Sequence, residues 1–488
     1  MLLVGQKIEE FARATPDRPA MIANLEPISY RDFDRRIRAL RRVFAARSLK
    51  PQGVVVTYIG DLAFAWATDI ALRGLGHTTL AIRSPAELED LGGVEVVAVI
   101  TLAGDPRPAL GGHLAPGAAR IVLHETDWSG DPGAATPPLA AEGGDHILLT
   151  SATTGRYKMI VQGTAHDVAE YEAAYEQATQ LIAALGGHGM MNYLDLGLWT
   201  SAGYPGTLLL WSYGQTVIVH RSSDIHRTLT IPGLTFTTAT PAQVARIMAA
   251  PEGSFPRQDQ MQLRIVAGAL SERLFHRIRA RLTNQIHIGV GSSEAGTWTS
   301  TVVESVEDLR WHRLEPGRKV EIVDENHQPL PPGQLGQVRV SQTGIAGYLN
   351  DEAASTSFFR DGWFYPGDLG VLNDQGRLAL FGRVTDVVNR QGDKLPAATF
   401  EAEMQKHLEV DSICLFSEQG AGADEELHVV IETPAPIDPA LLKDAAKRCL
   451  GGFGAIHFHF LAGLPRNEMG KVQRLKLRQQ LKSLAAGA

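Results

Sequence analysis

Between residues 53 and 102 the chain changes hydrophobic period twice, and that change constrains its fold more than any other feature. Gly53-Val54-Val55-Val56-Thr57-Tyr58-Ile59 is a continuous apolar run of strand length. Residues 62–74 carry a helical pattern that stops at Gly74, and Val94–Leu102 is a second strand-like run. Strands that alternate with helices imply a parallel sheet with covering helices. The alternation returns in the middle of the chain. There Thr216–His220 and Leu234–Thr238 read as strands, Pro241–Met248 as a helix, and Leu263–Val266 as a strand before a Gly-Ala turn. Upstream, Phe33, Ile37, Leu40 and Phe44 recur at helical spacing within residues 28–47, with arginines on the other face.

From about residue 318 the texture changes. Short apolar runs at 320–323, 336–340, 363–365 and 377–381 are separated by Gly, Pro and Asp turns, which suggests a small antiparallel β unit. After Gly382 comes a compact α+β tail, with Phe400, Met404 and Leu408 on one helix face and a strand at Leu427–Ile431. A chain of 488 residues is too long for one core. The expected architecture is therefore α/β. A large N-terminal domain of parallel-rich β-sheets covered by helices, with a small β unit, spans 1–382, and a small α+β C-terminal domain spans 383–488. The Gly/Pro/Ala-rich stretch 129–144 reads as a surface connector.

Bulk properties narrow the function. Against 46 Lys and Arg stand 54 Asp and Glu, a net charge of −8, so no overall basic field is present to hold nucleic acid or an anionic membrane. The two cysteines, Cys414 and Cys449, have no CxxC spacing and no nearby histidine cluster, so neither a disulfide framework nor a zinc site is expected. Glu9 and Glu10 interrupt what would be a signal's apolar region, and no run approaches the eighteen apolar residues of a spanning helix. The expectation is a soluble, cytoplasmic protein without a membrane span, monomeric or homodimeric.

Three internal segments and the tail carry candidate chemistry. HILLTSATTGRYKMIVQ, residues 146–162, runs from a strand into clustered hydroxyls, a glycine, Arg156 and Lys158. Such a turn suits a polyphosphate, although it lacks the Walker A spacing and also reads as a plain surface loop. IHIGVGSSEAG, residues 286–296, ends in Glu294, which could give one oxygen to Mg²⁺ or could stand at a helix N-terminus capped by Ser292 or Ser293. In 361–395, Asp368 reads as a turn residue and Arg383 follows it after a hairpin. The pair could accept and steady a ribose, or serve only turn and ion-pair roles. Lys471 follows Met469-Gly470 and precedes a basic, helix-like tail.

Taken in order, the segments resemble the adenylate-forming superfamily of acyl- and aryl-CoA synthetases, luciferases and peptide-synthetase adenylation domains. Its TSGTTGxPKG loop is matched by Thr150–Met159 and its YGxTE element by Val290–Glu294. Its GDLG and GRxxDxxxxxG blocks are matched by Gly367–Gly370 and Gly382–Gly392, and its PxxxxGK element by Pro465–Lys471. Weaker likenesses extend the resemblance over essentially the whole chain: ATPDRPAMI with ISYRDF near the start, FTTATPAQVARIM, and VAGALS. Departures are Ala152, Tyr157 and Met159 in the loop, Val290 where an aromatic is common, Thr385 at the hinge position and Thr399 after it. The charged positions are kept.

The resemblance implies ATP-dependent conversion of a carboxylic acid to an acyl-adenylate, then transfer to a thiol, with ATP, Mg²⁺ and coenzyme A as cofactors. A separate carrier protein or an amine is the alternative acceptor, and binding of nucleotide or acyl-adenylate without turnover is a reading of another class. It further implies that Lys471, Glu294 and Thr154 are catalytic, and that Glu294 holds the metal. Thr150, Ser151, Thr153, Thr154, Gly155 and Lys158 would surround the phosphates, and Ser293 would meet the α-phosphate. Gly268, Ala269, Gly291, Ser292, Asp368, Arg383 and Lys394 complete the nucleotide side, while Trp199, Gly203 and Gly291 border the acid. The C-terminal domain would be mobile, bringing Lys471 in for one half-reaction and withdrawing it for the other.

Overall fold

The computed structural model describes residues 2–50, 53–107, 109–111, 113, 117–129, 134–150, 157–193, 196–220, 224–342, 344–390, 393–410, 412–419, 425–433, 437–466 and 471–486. Two large sheets form the body. The first has six strands in the order Ala119–Leu123, Val96–Leu102, Val54–Tyr58, Thr78–Ala81, His146–Thr150 and Lys158–Gln162. Its first five strands are parallel, and the sixth closes it as an antiparallel hairpin, with Thr150 opposite Lys158. The second sheet has eight strands. Pro19–Ala23, Thr216–Val219, Met190–Tyr193, Phe236–Ala239, Gln262–Ile265 and Ile286–Ser292 run parallel, with an antiparallel strand at each edge.

Helix Leu62–Gly74 shows why the sheets stay together. All thirteen of its residues are buried, Thr68, Asp69 and Arg73 among them, so it is packed on every side. Trp66 meets Trp211 edge-on at 5.2 Å and stacks on Tyr204 at 5.4 Å, joining the helix to Tyr204–Ser212. Burying each large side chain of this kind stabilises the fold by about 1.5–3 kcal/mol. Helix Tyr30–Ala45 turns Phe33, Ile37, Leu40 and Phe44 inward, as its spacing predicts.

The expected strands and helices in the body are present, with shifted ends. The strand expected at Leu234–Thr238 runs from Phe236 to Ala239, and Leu234 is already buried in the core before it begins. Thr164–Ala184 is a 21-residue helix that the sequence pattern does not announce; it carries no apolar stripe and none of its residues is buried. Residues 320–383 form the expected antiparallel β unit. A separate small C-terminal unit follows. It comprises the hairpin Val387–Arg390/Asp393–Pro396 and a three-stranded sheet of Ile413–Gln419, Glu425–Glu432 and Ile456–Leu461, packed by helices Ala397–Leu408, Pro439–Cys449 and Arg474–Ala486. Phe400, Met404 and Leu408 are buried there together. Cys414 is buried and Cys449 half-buried, and both are free thiols. Among the described residues no helix is long and apolar enough to cross a membrane.

Candidate active site

Glu294 stands at the tip of a β-hairpin, between Ile286–Ser292 and Gly296–Val302, and not at a helix start. The hairpin is tight at this point. A Cβ at Gly291 would lie 2.5 Å from the Gly296 carbonyl oxygen, so only glycine fits there. Ser292 Oγ accepts from the Ala295 amide at 3.1 Å and holds the turn closed. Ser293 Oγ donates to Ser201 Oγ at 2.8 Å, joining the hairpin tip to the 196–204 segment. The Tyr348 hydroxyl donates to Glu294 Oε1 at 2.9 Å, leaving Oε2 available to a metal ion. Among the described residues no three metal-ligating side chains gather, so any ion here would need oxygens from a bound phosphate.

Lys158, on the first sheet, stands within Coulombic reach of the same carboxylate. Its ammonium lies 3.6 Å from the Phe358 ring centroid and 5.0 Å from that of Tyr348. Partial burial lowers its pKa below the usual lysine value, while Glu294 and Asp351 oppose that shift. Thr150, its strand partner, is buried. Ser151, Thr153, Thr154 and Gly155 lie outside the described residues, as do Ala152 and Arg156. Met159 explains one departure from the family loop. Its side chain fills the core under the sheet beside Val56, Leu80 and Ile147, and its carbonyl accepts from the Leu349 amide at 2.8 Å.

Asp368 does not lie within a turn; it opens the strand Asp368–Leu372 and faces Arg383 in register across to Leu378–Arg383. Arg383 Nε is 3.5 Å from Asp368 Oδ1, and its guanidinium also donates to the Pro366 carbonyl. Lys471 comes to this pair from the C-terminal unit, within Coulombic reach of Arg383, Asp368 and Glu294. Lys471 is exposed by surface area, although neighbouring atoms crowd its ammonium. Burial first, then Arg383, depresses its pKa, against the pull of the two carboxylates. Asp368 shifts the other way: burial raises it above the usual carboxylate range, with Arg383 and Lys471 offsetting part of the rise.

Three cations, Lys158, Arg383 and Lys471, thus surround two carboxylates, Glu294 and Asp368. Asp351 and Asp386 lie within Coulombic reach of the same groups, so the charges are mixed, and the partly dehydrated cations are what would favour an added anion.

The other candidate positions lie around this cluster. Gly268 and Ala269 are exposed in the turn after Gln262–Ile265, at the carboxyl end of a parallel strand, where ligands of such sheets bind. Ala267, just before them, is held at φ 67°, a conformation that costs a non-glycine residue about 1–2 kcal/mol. Trp199 is 8% exposed and lines a narrow crevice with Arg83, Glu87, Leu149 and Tyr157. Gly203 is buried, and a Cβ there would lie 1.9 Å from the Leu196 carbonyl oxygen, so its glycine is required by packing whether or not an acid is near. Lys394 is exposed on the hairpin of the C-terminal unit. A larger recess of about 280 Å³, lined by Leu3, Val4, Glu170 and Leu209 among others, shares no residue with the cluster.

Sequence reading missed Tyr348, Phe358 and Ser201. Each acts through a contact more than fifty residues away in the chain. The one local hint was Tyr348 itself, a lone aromatic after Gly344 and Gly347.

The two-sheet body, the small C-terminal unit and an anion-seeking cluster between strand ends define a protein of the adenylate-forming superfamily. The chain belongs to the AMP-binding enzyme family, whose sequence profile matches residues 8–349. It is 27% identical to the 2-succinylbenzoate–CoA ligase of Bacillus licheniformis over 346 residues, 68% of this chain and 69% of that protein. It is 25% identical to triostin synthetase I of Streptomyces triostinicus over 508 residues, 97% of this chain and 94% of that one. Its fold matches that of the Bacillus subtilis O-succinylbenzoate coenzyme A synthetase in complex with ATP and magnesium ion. The TM-score is 0.77 and the identity 20%, over 97% of this chain and 99% of the other.

Proposed function

We propose that this protein activates a carboxylic acid with ATP, forming an acyl-adenylate and releasing pyrophosphate, and then passes the acyl group to coenzyme A. The observation that carries the reading is the convergence of Lys158 and Lys471, from distant parts of the chain, on Glu294 and Arg383. An acid carboxylate and the α-phosphate are both anions, and their approach needs fixed positive charge at the reacting oxygens. Lys471 supplies that charge at the carboxylate and α-phosphate oxygens. Thr150, Ser151, Thr153, Gly155 and Lys158 hold the outer phosphates, with Thr154 adding a catalytic hydroxyl. Glu294 holds Mg²⁺, which neutralises phosphate charge when bound, and Ser293 steadies the α-phosphate. Asp368 accepts the ribose hydroxyls, and Arg383 orients Asp368.

Trp199, Gly203 and Gly291 border an apolar acid site suited to an aryl or medium-length acyl chain. Gly268, Ala269 and Ser292 flank the nucleotide, and Lys394 is free to meet a phosphate of nucleotide or acceptor. The small unit from residue 383 onward, hinged near Thr385, then turns Lys471 away and admits the thiol. The likeness to triostin synthetase I along nearly the whole chain favours a second acceptor, a separate carrier protein.

ATP–pyrophosphate exchange over a panel of aryl and acyl acids tests the reading. Exchange that depends on one acid and on Mg²⁺ is expected. The panel's failure to elicit any exchange, with nucleotide still bound, would make the protein a binder without turnover. Free coenzyme A compared with a carrier protein as acceptor then separates the two acceptors.

A further inference from the structure

Beneath the site lies a set of buried charges that the proposed chemistry does not use. Asp69 and Arg73 sit one turn apart on the buried helix Leu62–Gly74, and His146 opens the strand that leads to Thr150; all three have essentially no exposed surface. Arg73 donates to the Gly144 carbonyl, to the Tyr204 hydroxyl and to Asp167 Oδ2, each at 2.7 Å. The Tyr204 hydroxyl in turn donates to Asp69 Oδ2 at 2.8 Å, and its ring stacks on that of His146 at 3.8 Å.

The hydrogen count fixes what His146 does. Its Nε2 lies 3.0 Å from the Leu198 carbonyl, which can only accept, so Nε2 carries a proton. Thr79 gives its single hydroxyl proton to Asp69 Oδ1 at 2.5 Å. On its other side His146 Nδ1 lies 2.8 Å from Thr79 Oγ1 and 3.1 Å from Asp69 Oδ1. Arg73 thus pairs with Asp167, while Asp69 accepts from Tyr204 and Thr79 with the His146 ring beside it.

We propose that His146 is a positioning residue that fixes the acid-side segment against the strand feeding the phosphate loop. Its Nε2–H clamps Leu198, the residue before Trp199, and Ser201 three residues on reaches the hairpin tip through Ser293. One imidazole thus ties the nucleotide side to the acid side from below. The proposal rests on the acid-activation reading only for its kinetic arm.

The test pairs two variants. His146→Asn keeps a donor near the Nδ1 position and loses the clamp on Leu198, whereas His146→Gln keeps a donor near the Nε2 position. In hydrogen exchange on the full chain, His146→Asn should speed exchange in the peptide covering 196–204 by about tenfold or more, with 62–74 changed less than about threefold. His146→Gln should stay within about threefold of the parent in both peptides. In pyrophosphate exchange with ATP and benzoate or 2-succinylbenzoate, His146→Asn should raise KM for the acid about tenfold, with KM for ATP and kcat changed less than about threefold. Equal loosening of both peptides, unchanged exchange in 196–204, or loss of folded protein in both variants would make His146 a plain core residue and overturn the proposal. A parent protein inactive with every acid would instead sink the functional reading and leave the exchange arm intact.

Discussion

The cluster at Lys471 and the buried set at Arg73 hold similar residues in opposite electrostatic conditions. Around Arg73, partners outweigh burial: Tyr204, Asp167 and Asp69 hold its pKa above the usual arginine value, and His146 holds Asp69 below the usual carboxylate value. At Lys471 and Lys158, burial outweighs the carboxylates and the ammonium pKa values fall. Charges that stabilise a fold are balanced inside it. Cations whose burial outweighs their partners cost stability until an anionic ligand arrives. The two regions should therefore answer substitution in opposite ways.

The largest effect is expected at Asp69→Ala, which strands Arg73 and His146 in the core. Breaking a buried pair from one side costs about 3–5 kcal/mol. Thermal unfolding should show a large fall in Tm or a loss of soluble protein, and an unchanged Tm would remove the contrast. Lys158→Met should do the reverse. It removes a desolvated cation and keeps the contact with Phe358, so Tm without ligand should hold or rise, by about 0.5–1 kcal/mol of stability, while ATP–pyrophosphate exchange drops about a hundredfold. Tyr348→Phe deletes only the hydrogen bond to Glu294. Activity should fall about tenfold, with a higher Mg²⁺ requirement, and little change in Tm.

The pH profile sharpens the same contrast. Lys471 and Lys158 must be charged to attract phosphate, and both have depressed pKa values. Activity should fall on the alkaline side, as pH rises through values below the usual 10.5. On the proposed reading Asp368 accepts the ribose as a carboxylate, and its pKa is raised, so nucleotide affinity should weaken as pH falls through a value above the usual 3.8. For stability the sign differs. A cation whose folded pKa is lowered destabilises the fold while it is charged, at pH below that pKa. This cost is relieved as pH rises, whereas the balanced set at Arg73 gives no such gain. Rate and Tm measured from pH 5 to 10 check both signs.

What was legible in the sequence follows from locality. Val54–Tyr58 and Leu62–Gly74 were readable because period and length are local properties. Lys158, Glu294, Asp368, Arg383 and Lys471 could be picked out as charged residues within ordered motifs, and the fold gathers these five into one cluster. Helix Thr164–Ala184 was not readable, since it buries no residue and so leaves no apolar period. Ser201 and His146 carried no local mark, and Tyr348 only that of a lone aromatic after Gly344 and Gly347. Their importance comes from partners at Glu294, Ser293 and Leu198, which only the folded chain brings near.

On the proposed mechanism, a lysine delivered by the C-terminal unit completes an anion site on the body of the protein for one half-reaction only. Separate assay of the two half-reactions in Lys471→Ala tests it most directly. Acyl-adenylate formation should fall about a thousandfold, with thioester formation from a supplied acyl-adenylate close to the parent rate. Equal loss in both halves, or adenylation that survives the substitution, would contradict it.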